Sequence, residues 1–282
     1  MLGKLLKHEF RAVGRTMLPV MAVLLVLAGL ANISIHYIES VRSDFVELVL
    51  GLFIAAFVFG IIAAVVMALV VMIDRFYKNL LKDEGYLMMT LPVNVHALVW
   101  SKLIVSFVWF VITALVVYAV IGLTVANLVS LQISDIAEMF RDMPPLRELL
   151  DSLYQNTGIT GARVAGFLAE IFILIIVSGL CACLHFYAAM SLGHCFANNK
   201  VLLSVVFFVA ISFVFSLLAP LFGMEVNVTV TTETGMIINQ QALYAVQFMQ
   251  KSILYMLFYE LLQGAVLYAA TTLSLKKGLN LA

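Results

Sequence analysis

Two acids lie inside long apolar stretches of this chain, Glu170 and Glu260. A carboxylate at membrane depth is expensive to keep and is by default a candidate functional group. At 100° per residue, Glu170, Ser178, Cys181 and His185 share one face of a helix. By the same rule Ser252, Tyr255, Tyr259, Glu260, Gln263 and Thr271 fall on one broad arc of another. Such stripes should face a bundle interior or a water-filled cavity. Three readings stay open: a lining for a translocated solute, a proton site, or interhelical hydrogen bonds worth about 0.6 kcal/mol per pair. Glu170 stands near the start of its apolar stretch, where it could simply be solvated. His185 reads first as a satisfied core histidine, and His8, His36, His96 and His194 have no metal-ligand spacing. No catalytic residue and no metal site is expected.

The motifs of common enzymes are missing. The chain has no G-x-x-x-x-G-K-[ST] run, so it builds no P-loop for ATP, and no H-E-x-x-H for zinc. Its serines sit in apolar runs without a partner base. Cys181, Cys183 and Cys195 make neither a disulfide framework nor a zinc site and read as small apolar helix residues.

The elements that must hold these residues follow from composition. Of 282 residues 64% are hydrophobic and only 11% charged, against about 25% charged in a soluble domain. Zero net charge gives no bulk attraction to nucleic acid, and no nucleic-acid partner is expected. Six apolar segments, about 16–35, 46–73, 97–126, 161–192, 201–222 and 251–275, each reach the length of about 20 residues that crosses a bilayer. The expected fold is therefore an all-α polytopic membrane protein, one transmembrane domain over residues 1–282, whose helices satisfy their own backbone groups. Eleven of the sixteen Lys and Arg residues fall on the side of the N-terminus, the 74–96 loop with Lys102 just beyond it, Lys200 and Lys276–Lys277. Both termini are accordingly expected to be cytoplasmic. The apolar run from Met17 to Ile33 is too long for a signal-peptide core, which favours a retained first helix.

Residues 1–15 predict an interfacial amphipathic helix, with Leu2, Leu5, Leu6, Phe10 and Val13 on one side and Lys4, Lys7, Arg11 and Arg15 on another. The outer loop 127–160 predicts two small helices, the first capped by Ser134 or Asp135 and carrying Ile136, Met139 and Phe140, the second striped by Leu146, Leu149, Leu150 and Leu153 beyond Pro144-Pro145. The outer loop 223–250 contains alternating Val226, Val228 and Val230 and a turn over 232–235, which reads as an extracellular β-hairpin. Between the second and third spans lies "DRFYKNLLKDEGYLMMTLPVNVHALVWSK", residues 74–102. A helix continues to Lys82, Lys82-Asp83-Glu84-Gly85 turns, "YLMMTL" forms a short apolar element, Pro92 ends it and Asn94 caps the next helix. Such an element suits docking in a groove of another protein.

This segment, with its acidic residue, short apolar run, "LP" and downstream Lys102, resembles the loop between the second and third helices of ABC-2 type transporter permeases. The "LLKHEFRAVGR" start is similar to that family's N-terminal helix, and "AMSLGHCFANNK", Ala189–Lys200, to its short turn between helices four and five. The resemblance covers the layout of the whole chain, while the outer loops match no family motif. It implies a bacterial plasma-membrane assembly of two permease chains, the second a copy or a paralogue, with two separate ATPase subunits that bind ATP and Mg²⁺; this chain would need no cofactor of its own. Lys82, Asp83, Glu84, Gly85, Tyr86, Leu87, Met88, Met89, Leu91 and Pro92 would form the coupling helix resting in a groove of the ATPase. General similarity extends to Gram-positive permeases that export, or confer immunity to, amphipathic or antimicrobial peptides. Two other classes stay open: a membrane immunity protein that sequesters a peptide without an ATPase, and a proton-coupled transporter using Glu260.

Overall fold

The computed structural model describes residues 2–37, 43–82, 94–129, 138, 141–157, 160–196, 199–222 and 236–277. The regular elements among them are helices: α1 (Leu2–Tyr37), α2 (Asp44–Phe76), a π-helical turn (Tyr77–Leu81) that prolongs α2, α3 (Val95–Leu128), α4 (Leu146–Thr157), α5 (Gly161–Gly193), α6 (Lys200–Phe222) and α7 (Met236–Lys277). All but α4 are long and apolar enough to cross a membrane. This is the build of a multi-pass, all-α membrane protein. Side chains such as Phe59, Leu115, Phe172 and Phe213 stay exposed, as a lipid solvent permits. The expected β-hairpin and the expected cap at Ser134 or Asp135 lie outside the described residues, as do Asp83–Pro92.

Three elements differ from their sequence-based outline. Residues 1–15 do not form a helix of their own: from Leu2 they are continuous with the first span, with no break at residue 15. Nothing between Arg15 and Leu18 stops a helix. Pro19 sits inside it, frees the carbonyl four residues earlier and does not end it. The two sides of that region are as expected: Lys4, Lys7, Arg11 and Arg15 are exposed, while Leu6, Phe10 and Val13 pack inward. The last helix starts at Met236, so the second half of the 223–250 loop is helical. "INQQALYAVQF" carries one Asn and three Gln and is less apolar than the spans, yet has strong helix formers in Gln, Ala and Leu. Asn94 stands at the N-cap of α3 with extended backbone, but its side chain makes no capping bond; its carbonyl accepts from the amides of Ala97 and Leu98.

The chain divides into two compact units, residues 1–142 and 143–280. In the first, α1, α2 and α3 pack on one another. α1 and α3 run parallel and α2 antiparallel between their ends. One apolar cluster joins Val13, Met17 and Met21 to Ala68, Val71 and Val105. A second joins Leu24, Ala28 and Ala31 to Phe57, Ala64 and Val120. Polar side chains close the far end: Asn32 donates to Thr124 Oγ1 at 3.2 Å and Asn127 donates to the Asn32 carbonyl at 2.9 Å.

In the second unit α5 packs against both α6 and α7, and α4 touches α5 and α7. α5 and α7 are parallel, and α6 returns antiparallel through the turn after Gly193. That turn is close-built. A Cβ on Gly193 would lie 2.5 Å from the Ser204 amide nitrogen and 2.7 Å from its Cα. Only glycine lets the α6 backbone come so near. Asn199, which ends the turn, has φ 54°, a left-handed conformation that asparagine tolerates. His194 is buried and donates from Nδ1 to the Met190 carbonyl at 2.8 Å. Burial, with a smaller push from Lys200, holds its pKa below the ordinary histidine value.

Candidate functional site

The polar segment between α2 and α3 has a buried ionic base. Lys102 Nζ, on the second turn of α3, meets Glu9 Oε1 of α1 at 2.7 Å. The two side chains are only 2% and 10% exposed. Asn79, in the π-helical turn, donates to the same carboxylate oxygen at 3.4 Å, a long and weak bond. Arg75, one turn earlier, donates from Nη2 to the Ala12 carbonyl at 3.1 Å. Leu80, Leu81, Leu98 and Val99 are buried around this cluster. The last described turn before residues 83–93 and the first turns after them are thus both fastened to the start of α1. The contrast is Lys78–Asp74, an exposed i,i+4 pair at 2.9 Å that contributes little.

Why the chain holds a buried ion pair here is not a matter of stability alone. Apolar residues of similar volume often stabilise as well or better. What the pair provides is direction: a charge-assisted bond fixes where α1 sits relative to the base of the loop. The π-helical turn fits this, since π-helical turns are rare and concentrate at functional positions. Lys82, the one described member of the expected coupling residues, follows it directly and sends its amide to the Tyr77 carbonyl at 3.1 Å.

Glu9 was legible as an anomaly. It lies among basic residues, "KHEFR", and looks like a surface acid. At 100° per residue, however, it falls in the middle of the side that carries Leu5, Leu6 and Val13. An acid at the centre of a buried face needs a cation, a signal the sequence reading missed, and nothing local in the sequence names Lys102 as that cation.

The second polar constellation lies within the second unit. Ser178, Cys181 and His185 of α5 and Glu260 and Gln263 of α7 line one open groove of about 300 Å³. The sequence stripes on two separate helices therefore converge. α6 adds Phe208 and Ser212, which the sequence reading missed. The only signal there was three serines, and serines in apolar helices usually bond back to their own helix. Ser204, Ser212 and Ser216 do so here. At 1.5 Å per residue, Cys181 and Ser212 stand ~18 Å from the α5–α6 turn and Glu260 ~25 Å before the end of α7. The groove is thus near the middle of the spans.

Its hydrogen bonds assign a tautomer. Ser212 Oγ donates to the Phe208 carbonyl at 2.8 Å. His185 Nε2 lies 2.9 Å from that hydroxyl oxygen and 3.3 Å from the same carbonyl. A carbonyl accepts only, so Nε2 carries the proton and donates to both. His185 is therefore not a base toward Ser212, and the pair is no nucleophile. The Cys181 thiol donates to the Glu260 carbonyl at 3.1 Å and lies against the Glu260 carboxylate. Phe186 and Phe208 stack with centroids 4.8 Å apart.

The remaining stripe residues are elsewhere. Glu170 accepts from Gln250 Nε2 at 3.0 Å with one oxygen, and its other oxygen is buried without a hydrogen-bond partner. Tyr259 donates to the Phe215 carbonyl at 2.6 Å, an interhelical bond between α7 and α6. Tyr255 is about half exposed, Ser252 bonds back to Phe248, and Thr271 is buried and bonds back to Leu267. Of the polar side chains expected on one arc of α7, only Glu260 and Gln263 line the groove. Comparison with protein-family models, curated proteins and solved structures found no match to this chain.

Proposed function

We propose that this chain is the membrane-spanning permease subunit of an ATP-driven exporter of the ABC-2 type, working in a bacterial plasma membrane with both termini cytoplasmic. A second permease chain and two copies of a separate ATPase complete the assembly. The cargo is amphipathic or hydrophobic, with a peptide as the leading candidate, and it moves by alternating access. This chain hydrolyses nothing; ATP and Mg²⁺ belong to the ATPase.

The observation that supports this most is the buried Glu9–Lys102 pair with Asn79 at the base of the 83–93 segment. A loop pushed by a partner must pass the displacement to its helices. A loop that merely links two spans needs no such anchoring at both flanks. The polar "KDEGYLMMTLP" run supplies the docking element, and the helices after it supply the lever.

The test is a change of Tyr86, Leu87 and Leu91 to Glu, Asp and Glu in the full chain, co-expressed with its ATPase. The expected result is loss of ATPase co-purification and of cargo-stimulated hydrolysis. A complex that survives with full coupling removes the coupling role from this segment.

A further inference from the structure

We infer that the groove between α5, α6 and α7 is a binding site for an ammonium group carried on an apolar body, with Glu260 as its counter-ion. Four observations point there. The groove holds about 300 Å³, at the small end of ligand sites and enough for a trimethylammonium or alkylammonium head with part of its chain. Its one carboxylate is Glu260, and among the described residues no Lys or Arg lines it. The imidazole among the described lining residues, His185, turns its Nε2 toward Ser212 and the Phe208 carbonyl rather than toward Glu260. Phe186 and Phe208 stack at its wall, presenting aromatic surface of the kind that attracts ammonium groups.

The competing account, that Glu260 only ties helices together, meets a difficulty. The interhelical bond from Cys181 goes to the Glu260 backbone carbonyl, not to its carboxylate alone. The bond that Tyr259 makes to α6 already joins these helices one residue away. A carboxylate kept near mid-span for packing would be an expensive choice. A carboxylate that meets a cation arriving through the bilayer is offset by the charge it binds. Gln263, one turn of α7 beyond it, and Ser178 add neutral polar atoms that suit the rim of a charged head rather than a second charge.

The ammonium could belong to a soluble amphiphile, to a basic residue of a peptide, or to a choline or ethanolamine lipid head, since all share this chemistry. The transport of such a cation rests on the permease reading; its binding does not. The probe is benzyltrimethylammonium, which partitions weakly into micelles, titrated calorimetrically into the purified full chain in dodecyl maltoside. Benzyl alcohol is the neutral control. Saturable one-to-one binding of the cation alone is expected, weakened on the order of tenfold or more in Glu260→Gln. Phe208→Leu should weaken it about threefold, and Glu170→Gln, the other intramembrane acid, should leave it unchanged. Equal affinity in Glu260→Gln, equal binding of benzyl alcohol, or no saturable binding to a folded wild-type chain would each overturn the site. Phosphatidylcholine nanodiscs that abolish binding, where phosphatidylglycerol nanodiscs do not, would identify the lipid head as the occupant; binding unchanged in both identifies a free cation. If the cation binds but never stimulates the partner ATPase, the site stands and the permease reading fails.

Discussion

Replacing Lys102 by Met tests the buried base of the loop. The change keeps an unbranched chain of similar length in a pocket where only 2% of the lysine side chain is exposed. It leaves the Glu9 carboxylate buried with Asn79, whose amide is 3.4 Å away and too far for a strong bond. Breaking a buried pair from one side costs about 3–5 kcal/mol. The Asn79 contact and the 10% exposure of the Glu9 side chain argue for the lower end, about 3 kcal/mol. Glu9→Gln should cost up to a similar amount, because it takes the carboxylate away from a buried ammonium. The double variant Glu9→Gln/Lys102→Met strands no charge and should lie within about 1 kcal/mol of the wild type. If both singles cost about 3 kcal/mol, coupling of ~5 kcal/mol or more follows, well above the scatter of additive sites. The assay is equilibrium unfolding in mixed dodecyl sulfate micelles followed by tryptophan fluorescence. Both tryptophans, Trp100 and Trp109, are on α3, so the signal reports the unit in question. Single variants that each cost under about 1 kcal/mol and simply add would mean that Glu9 and Lys102 are not a coupled buried pair. The folded double variant then asks a second question: if the pair transmits motion, ATPase coupling should fall although stability does not.

Gly193→Ala should cost about 1–3 kcal/mol, because its Cβ would meet the α6 backbone at Ser204, whereas Gly166→Ala on the same helix, with nothing within 4 Å, should be neutral or gain about 0.5–1 kcal/mol; thermal unfolding of both variants decides this. His194 is held below its ordinary value, near 6.5, by burial. The unfolded chain therefore takes a proton first on acidification, so stability should fall as pH drops from 6.5 toward the lower folded value and level off beneath it. His194→Gln should flatten that part of a pH–stability curve, and an unchanged curve would clear His194. Asn32→Leu removes the bond to Thr124 and the longer of the two bonds from Asn127, whose 2.9 Å bond to the residue-32 carbonyl remains; an unfolding loss of about 0.6–1.7 kcal/mol is expected.

The six spans were legible because bilayer length and composition leave few alternatives. The 100° rule identified Glu260, Gln263, Ser178, Cys181 and His185 as one-sided on their helices, and packing of α5 on α7 brought them together. The same rule grouped Tyr255, Tyr259 and Glu170 with them, and these went elsewhere. A stripe 80° wide or more is broader than one groove, and the sequence holds no information about where the neighbouring helix crosses. Glu9 and Lys102 are 93 positions apart and no local pattern pairs them. The junction at residue 15 was misread because a change from amphipathic to apolar composition looks like a boundary, while the backbone sees only a run of residues that all accept a helix. Met236–Gln250 was expected as loop because its Asn and Gln residues interrupt the apolar run, but its residues favour helix.

On the proposed function, a separate ATPase drives this chain through residues 82–92. A photo-crosslinking amino acid at Leu87, in the full chain purified from membranes with its ATPase, tests it most directly. A crosslink to a nucleotide-binding subunit is expected, with cargo-stimulated hydrolysis that disappears in the Tyr86, Leu87 and Leu91 triple variant. Hydrolysis that remains fully cargo-stimulated in the triple variant, with no crosslink from Leu87, would contradict it.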